Sequence, residues 1–317
     1  MVSIMSNERN TSMIESALAG AGSGAFTRAV SQPLDVLKIR FQLQTEPIKH
    51  GSKYSSSFQA MALIAKEEGI TTLWSGHIPA QLLSISYGIL QFSMFEFLTQ
   101  ISQRNLELFN AHHNSINFTN GTIAAAFATI LSYPFDTVRT RLIAEPKTNK
   151  VYKGFVDALT TIIDREGFLA LYKGLIPTLC QIAPQAGIQF AVYKLLTQHV
   201  LIEIKMFQRV RKGKKVKSTF LANLIAGSTA GFVSKTAIYP LDFVKKRLQI
   251  QGFQKHRKGF GKQMYCNGVL DCVKLTIVKE GFIALYKGYG ASIAKAIVVT
   301  ALYFSLYDEI KYFLSKR

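Results

Sequence analysis

The sequence predicts an all-α membrane protein whose six transmembrane helices form three repeats of two spans. One observation is that Asp, Glu, Lys and Arg are missing from four long windows, in a chain of 317 residues that is 48% hydrophobic. A bilayer core of about 30 Å needs roughly 20 apolar residues per helix, and the windows approach that length. The other observation is a motif that occurs three times. The windows are residues 75–95, 108–135, 174–193 and 218–234, and shorter apolar stretches flank Arg28 and Lys295.

Composition and charge narrow the class of protein. An aromatic content of 11% with only 18% charged residues excludes a disordered chain, and three cysteines do not make a disulfide scaffold. The net charge of +19 suggests nucleic acid, anionic lipid or an anionic small molecule as a partner. The charge-free windows argue against nucleic acid. Buried helices of a soluble bundle remain the alternative interpretation of those windows.

The repeated motif has the form Pro-x-Asp-x-x-basic-x-basic and begins at Pro33, Pro134 and Pro240. Each copy is followed by Glu-Gly and then by an aromatic residue two positions before a further glycine. A chance match to the first motif alone is rare in a chain with 8 prolines, so the chain consists of three related units. The predicted repeats span residues 12–104, 115–203 and 217–314.

A short amphipathic helix is predicted in the polar stretch between the two motifs. Apolar residues recur there at helical spacing, with charged residues on the opposite side. Such a helix should lie along a membrane surface or pack on the base of the bundle. The apolar positions are Phe155, Leu159, Ile162 and Ile163 in the second repeat, and Val269, Val273 and Ile277 in the third.

The two triplicated motifs together resemble the mitochondrial carrier family over essentially the whole chain. The resemblance implies a multi-pass protein of the mitochondrial inner membrane, with a short matrix amphipathic helix in each repeat and both termini toward the intermembrane space. It implies alternating access by a functional monomer, because the three repeats enclose a pathway without a partner. Cardiolipin is implied as a bound lipid at the helix starts near residues 172–174 and 286–288, whereas Trp74-Ser-Gly76 departs from the pattern.

Some stretches are similar to family members that carry thiamine pyrophosphate. This similarity implies antiport of that diphosphate, against matrix nucleotides or thiamine monophosphate. The alternative is another phosphorylated anion, such as a nucleotide or coenzyme A. An enzyme is not expected, because the sequence shows no metal-ligand spacing, Walker loop or nucleophile elbow. The similar stretches are residues 35–44, 76–88, 239–249, 252–253 and 268–272.

The resemblance also implies two gates. At the matrix end of family members, the acid of one repeat pairs with the base of the next, and a glutamine can brace the pair. Ile143 takes the brace position in the second repeat, so two braces are expected. The alternative is that these charges only complement the helix dipole. The implied pairs are Asp35–Arg139, Asp136–Lys245 and Asp242–Lys38, with Gln42 and Gln249 as braces.

The cytoplasmic gate looks weaker. Its family motif is complete only at Tyr307-Asp308-x-x-Lys311, which leaves Glu96 with Lys311 as the available ion pair. We therefore expect the empty carrier to open toward the intermembrane space, because its matrix gate has more pairs.

Substrate contacts should lie where the threefold pattern breaks, because a substrate is not threefold symmetric. Arg28 and Lys235 lie five residues before their prolines, and Lys295 lies seven after its motif glycine. At 1.5 Å per residue these levels are about 7–11 Å inside the matrix end. With no acid expected at that level, the three cations predict an anion site in a wet cavity. The alternative is that the lysines snorkel to the interface.

A less charged wall is predicted on helices two and four. A substrate ring could stack on Tyr87, and the glutamines could hydrogen-bond a pyrimidine. Ordinary helix packing is the alternative for any one of these positions. The predicted wall consists of Leu83, Ser84, Tyr87, Gln181, Ile182 and Gln185.

Overall fold

The structure is a computed structural model that describes residues 2–45, 52–104, 113–146, 150–210, 216–252 and 265–315. Within these ranges it consists of α-helices and short 3-10 helices, in agreement with the predicted all-α class. The α-helices are α1 (Val2–Leu43), α2 (Ser57–Glu68), α3 (His77–Ser102), α4 (His113–Ala144), α5 (Phe155–Glu166), α6 (Leu175–Val210), α7 (Val216–Gln249), α8 (Val269–Glu280) and α9 (Tyr289–Ser315). The 3-10 helices are Ile70–Trp74, Phe168–Tyr172 and Phe282–Tyr286.

Every repeat has the same order of elements. A long helix with an internal proline comes first, a surface helix of 12 residues follows, and a 3-10 turn leads into the second long helix. Six long helices in three pairs result, as the sequence predicted. The motif prolines Pro33, Pro134 and Pro240 lie inside α1, α4 and α7.

The six long helices form a closed ring. The most extensive contacts join neighbouring repeats, between α3 and α4, between α6 and α7, and between α9 and α1. Contacts within a repeat, such as α1 with α3, are much fewer. The proline-containing helices α1, α4 and α7 also touch one another, and we call the end of the bundle where they meet the ring end.

The outer surface of the helix bundle is apolar. Phe92 is 77% exposed and Ile297 is 65% exposed, which is a costly arrangement in water but suits contact with lipid. Among the described residues, the stretches Ile70–Ser102 and Phe282–Tyr303 are long and apolar enough to cross a membrane. The proline-containing helices also carry the charged motif residues, which lowers their mean hydropathy.

The surface helices pack on the base of the bundle at the ring end. In the second repeat, Ala158 and Ile162 are fully buried against Val36, Val138 and Ile143 of α1 and α4. Burying an isoleucine side chain such as that of Ile162 contributes about 1.5–3 kcal/mol. The helices α2 and α8 bury their apolar faces in equivalent clusters. The structure thus selects packing on the bundle base from the two predicted arrangements.

Candidate functional site

The ring end is closed by three ion pairs, which we call the ion-pair ring. Each pair joins proline-containing helices of two different repeats, so that α1, α4 and α7 are linked in a closed circle. The pairs are the ones that the family resemblance implied. Their N–O distances are 2.5 Å for Arg139–Asp35, 2.9 Å for Lys245–Asp136 and 2.6 Å for Lys38–Asp242.

Two glutamines brace the ring. Gln249 Nε2 donates to Asp136 Oδ2 at 2.8 Å, and Gln42 Nε2 donates to Asp242 Oδ2 at 3.2 Å. Each glutamine also donates to a tyrosine hydroxyl next to the motif proline. At the third position Ile143 is fully buried among apolar residues. The expectation of two braces therefore agrees with the structure.

Two further lysines reach the ring. Lys246 Nζ lies 3.0 Å from Asp136 Oδ1, and Lys295 Nζ lies 2.6 Å from Asp35 Oδ1. The expectation that no acid lies at the level of Lys295 was therefore wrong. Counting residues along a helix gives the height of a Cα atom, but a lysine side chain can reach an acid several ångströms lower on a neighbouring helix. Asp35 lies on α1, which packs closely against α9.

A second layer of charge lies below the ion-pair ring and was missed by sequence reasoning. The last base of each motif pairs with the glutamate of the following Glu-Gly, and Nε of each arginine donates to a main-chain carbonyl of another repeat. The signal was present, because both residues occur three times. The pairs are Arg40–Glu68, Arg141–Glu166 and Arg247–Glu280, and the carbonyls belong to Ile143, Gln249 and Gln42.

The surface-helix carboxylate of Glu166 is held in the charged form. Burial by itself raises the pKa of the Glu166 carboxyl, but hydrogen bonds and charges from Arg141 and Lys173 hold that pKa below its usual range. Breaking such a pair would leave the buried Arg141 charge uncompensated. The second layer therefore fastens each surface helix to the bundle.

A cavity of about 480 Å³, which we call the central cavity, lies among α3, α4 and α6. All six residues of the predicted uncharged wall line it. Asp136 and Lys245 of the ion-pair ring also line it, so the cavity reaches down to the ring. The wall residues are Leu83, Ser84, Tyr87, Gln181, Ile182 and Gln185.

The three predicted cations are not among the residues that line the central cavity. Arg28 Nη1 donates to the Ala80 carbonyl at 3.1 Å, and Lys235 Nζ donates to the Ser292 carbonyl at 3.4 Å. These carbonyls are equivalent, each four residues after a motif glycine. Among the described ion pairs, neither Arg28 nor Lys235 has a carboxylate partner. Both lie close enough to Asp35 for their charges to interact, as Lys295 does.

The motif glycines permit close contact between repeats at this end. Gly288 has φ +79°, and a Cβ atom there would lie 2.7 Å from the Lys38 carbonyl oxygen. Gly174 has φ +87°, and its Cβ would lie 2.9 Å from the Lys245 oxygen. Each glycine therefore lets the start of a helix approach the backbone of a base in the ion-pair ring.

The predicted cytoplasmic gate lies mostly outside the described side chains. Glu96 is exposed on α3, while the side chains of Asp308 and Lys311 lie outside the described residues. Their pairing stays a prediction. Within the described part of the chain, no group of three or more His, Cys, Asp or Glu side chains could hold a metal ion.

Comparison with known proteins places this geometry in a family. The sequence profile of the mitochondrial carrier protein family matches residues 9–106, 110–203 and 216–317. Over 303 residues the chain is 42% identical to the mitochondrial thiamine pyrophosphate carrier of Homo sapiens, covering 95% of this chain and 92% of that protein. It is 35% identical over 317 residues to mitochondrial thiamine diphosphate carrier 2 of Zea mays, with 95% and 94% covered. The chain therefore belongs to the mitochondrial carrier family.

Proposed function

We propose that the protein exchanges thiamine pyrophosphate across the mitochondrial inner membrane by alternating access. As a family member it is a multi-pass solute carrier of that membrane and not an enzyme. Relatives from an animal, a plant and a fungus bear names for this substrate. We further propose that the ring end faces the matrix, that both termini face the intermembrane space, and that matrix nucleotides or thiamine monophosphate are the counter-substrates.

The observation that carries the proposal is the excess of positive charge beside the ion-pair ring. Three acids there face more cations than they can neutralise, which favours an anion with several charges, such as a diphosphate. Arg28 can bind a phosphate with its planar fork, and the lysines act as point charges. The acids are Asp35, Asp136 and Asp242, and the cations are Lys38, Arg139, Lys245, Lys246, Lys295, Arg28 and Lys235.

Lys295 connects substrate binding to the gate in this mechanism. Its side chain is 26% exposed while that of Asp35 is 5% exposed, so the lysine is the more accessible partner of the pair for an incoming diphosphate. A diphosphate that binds Lys295 competes with Asp35 for it. Asp35 is then left with Arg139 alone, and the ion-pair ring is weakened when substrate is present. The ring end can therefore open more readily with cargo than without it.

The central cavity supplies the uncharged half of the proposed site. In this arrangement a substrate ring stacks on Tyr87, and the side-chain amides of Gln181 and Gln185 hydrogen-bond the aminopyrimidine. All three pairs of the ion-pair ring are formed in this structure, as proposed for a carrier that is closed to the matrix. We propose that the empty carrier prefers to open toward the intermembrane space, because the sequence offers more ion pairs for the ring end than for the opposite end.

We also propose a functional monomer and bound cardiolipin. A cleft of about 330 Å³ lies where the start of α3 meets the start of α5, and Gly76, Lys150, Lys153 and Gly154 are among its lining residues. Lysine ammonium groups and helix starts favour lipid phosphates. At the other two helix starts, Lys173 and Lys287 already pair with glutamates. The first repeat departs from the expected motif, and the described cleft lies at its helix start.

The proposal is tested by uptake into vesicles that contain the purified protein. Wild-type protein should exchange labelled thiamine pyrophosphate in vesicles preloaded with candidate counter-ions. We expect Lys295→Ala to reduce the initial rate at least a hundredfold, since the lysine both binds the diphosphate and releases the gate. Lys274→Ala on the exposed surface of α8 removes the same charge and should leave the rate unchanged.

Three results are informative. If wild-type protein prefers a nucleotide or coenzyme A in the same panel, the substrate proposal is wrong. If Lys295→Ala exchanges normally, Lys295 is not part of the site. If cysteine labelling shows that the pathway of inhibitor-free protein is open mainly to the matrix, the proposed preference for opening toward the intermembrane space is wrong.

A further inference from the structure

A second cavity of about 760 Å³ lies among α3, α4 and α6, and we call it the aromatic chamber. Aromatic rings from all three helices line it. Phe118 and Phe190 meet edge to face, with ring centroids 6.4 Å apart. Among its described lining residues the only charged one is Lys194. The aromatic residues are Phe95, Phe118, Phe190 and Tyr193.

The aromatic chamber continues the central cavity away from the ring end. Ile182 and Ala186 line both cavities, so the two spaces adjoin. Helical spacing places Phe190 one turn beyond Ala186, and Phe95 two turns beyond Tyr87 on the same face of α3. A solute that enters from the end opposite the ring therefore passes the aromatic chamber before it reaches the central cavity.

We propose that the aromatic chamber is a staging site for the cationic heterocycle of a thiamine compound, an inference that rests on the proposed function. At helical rise, Phe190 lies about 14 Å above Gln181, so a ring held at Phe190 lies well above the level of the predicted cations. The chamber thus holds the ring on the way in, and the central cavity holds it when the diphosphate reaches the cations.

The chemistry of the chamber fits a thiazolium ring. Aromatic faces attract a quaternary nitrogen through cation–π interaction, and they do so best where carboxylates and water are few. Gln91 also lines the chamber and can hydrogen-bond the aminopyrimidine. Lys194 at the edge of the lining can attract the diphosphate, so a solute that joins a cationic ring to an anionic tail gains from both the aromatic rings and the lysine.

Two partial ligands separate this site from the anion site. Thiamine has the rings without the phosphates, and inorganic pyrophosphate has the phosphates without the rings. Ligand-induced protection of the purified carrier against heat reports binding of each, whether or not either compound is transported. We expect Phe190→Ala to raise the thiamine concentration needed for half-maximal protection about tenfold, with no change for pyrophosphate.

Matched variants control the experiment. Phe97→Ala removes a ring that is 56% exposed and lies on the opposite side of α3 from Phe95. This variant should bind both thiamine and pyrophosphate as wild type does. Phe190→Leu keeps an apolar side chain and should weaken thiamine binding as much as Phe190→Ala does. Phe190→Tyr keeps the aromatic ring and should bind thiamine as wild type does. The leucine variant also keeps the test possible if the alanine variant fails to fold.

The inference is overturned if thiamine protects Phe190→Ala or Phe190→Leu as well as it protects wild type. It is also overturned if thiamine gives wild-type protein no protection, which would indicate a chamber occupied by lipid chains. Equal weakening of pyrophosphate binding by the Phe190 substitutions would overturn it as well.

If the wild-type carrier does not exchange thiamine pyrophosphate, the proposed function is wrong instead, so the two failures are distinguishable.

Discussion

The Asp136 and Asp242 corners of the ion-pair ring are built from the same motif but have different partners. Asp136 receives Lys245 at 2.9 Å, Lys246 at 3.0 Å and the Gln249 amide at 2.8 Å. Asp242 receives Lys38 at 2.6 Å and the more distant Gln42 amide. The Asp242 side chain is also more exposed, at 23% against 8%.

The difference shows that a repeated motif need not give ion pairs of equal strength. The residue after the ring base is Lys246 in the third repeat and Ile39 in the first, and an isoleucine cannot donate to the acid. Electrostatic attraction also weakens as water reaches a pair. We therefore expect the ring to begin opening at the Asp242 corner.

Replacing the acid of each corner should give the largest difference in stability between the two corners. Asp136→Asn leaves two lysines uncompensated in a buried site and should reduce the free energy of unfolding by about 3 kcal/mol. Asp242→Asn leaves one lysine that can reach water, so the loss should be clearly smaller. Thermal unfolding of the purified variants in detergent measures both. Equal losses would show that the number of partners does not set the strength of a corner.

Adding a methyl group behind the weaker corner should have the next largest effect. Gly288→Ala places Cβ against the Lys38 carbonyl at positive φ and should cost about 2 kcal/mol of stability, while weakening the Asp242 corner. Gly290→Ala is the matched control, because nothing lies within 4 Å of its Cβ position. Unfolding temperatures of the two variants give the comparison. A Gly288→Ala protein as stable as Gly290→Ala would contradict the close approach.

The braces should give the smallest effect. Gln249→Leu removes hydrogen bonds with Asp136, Thr140 and Lys246 and should cost about 1–2 kcal/mol in total, because Lys246 keeps its own hydrogen bonds to Asp136 and Thr140. Gln42→Leu loses fewer bonds and should cost less. Chemical or thermal unfolding of the two variants measures both losses. A larger loss for Gln42→Leu would indicate that the exposure of a corner, and not the number of hydrogen bonds, determines how much its glutamine stabilises the protein.

The family resemblance, together with the repeat pattern, made the ion-pair ring predictable. Residues at fixed distances from three prolines occupy equivalent heights on equivalent helices, and the resemblance implied that Asp35 pairs with Arg139 of the next repeat. The uncharged wall was predictable for the same reason, because Tyr87 and Gln181 come from fixed heights on α3 and α6. Both the ion pairs and the shared cavity are present in the structure.

The contacts of long side chains were less predictable. Lys295 was placed at the right helix position, yet its pairing with Asp35 depends on how α9 packs against α1. The pairing of Arg40 with Glu68 depends likewise on the turn that brings α2 back under α1. Neither distance is encoded in residue spacing along one helix.

The all-α class, the three repeats and the six uncharged residues that share a cavity could be predicted from the sequence, because they depend on helical rise and on repetition, which are local or periodic properties. The three ion pairs were implied by the family resemblance of the repeated motif. The inequality of the ring corners, the acid beside Lys295 and the aromatic chamber beyond the central cavity became visible only in the folded structure. Those features depend on side-chain reach and on the packing of helices from different repeats, and no periodicity along the chain specifies either.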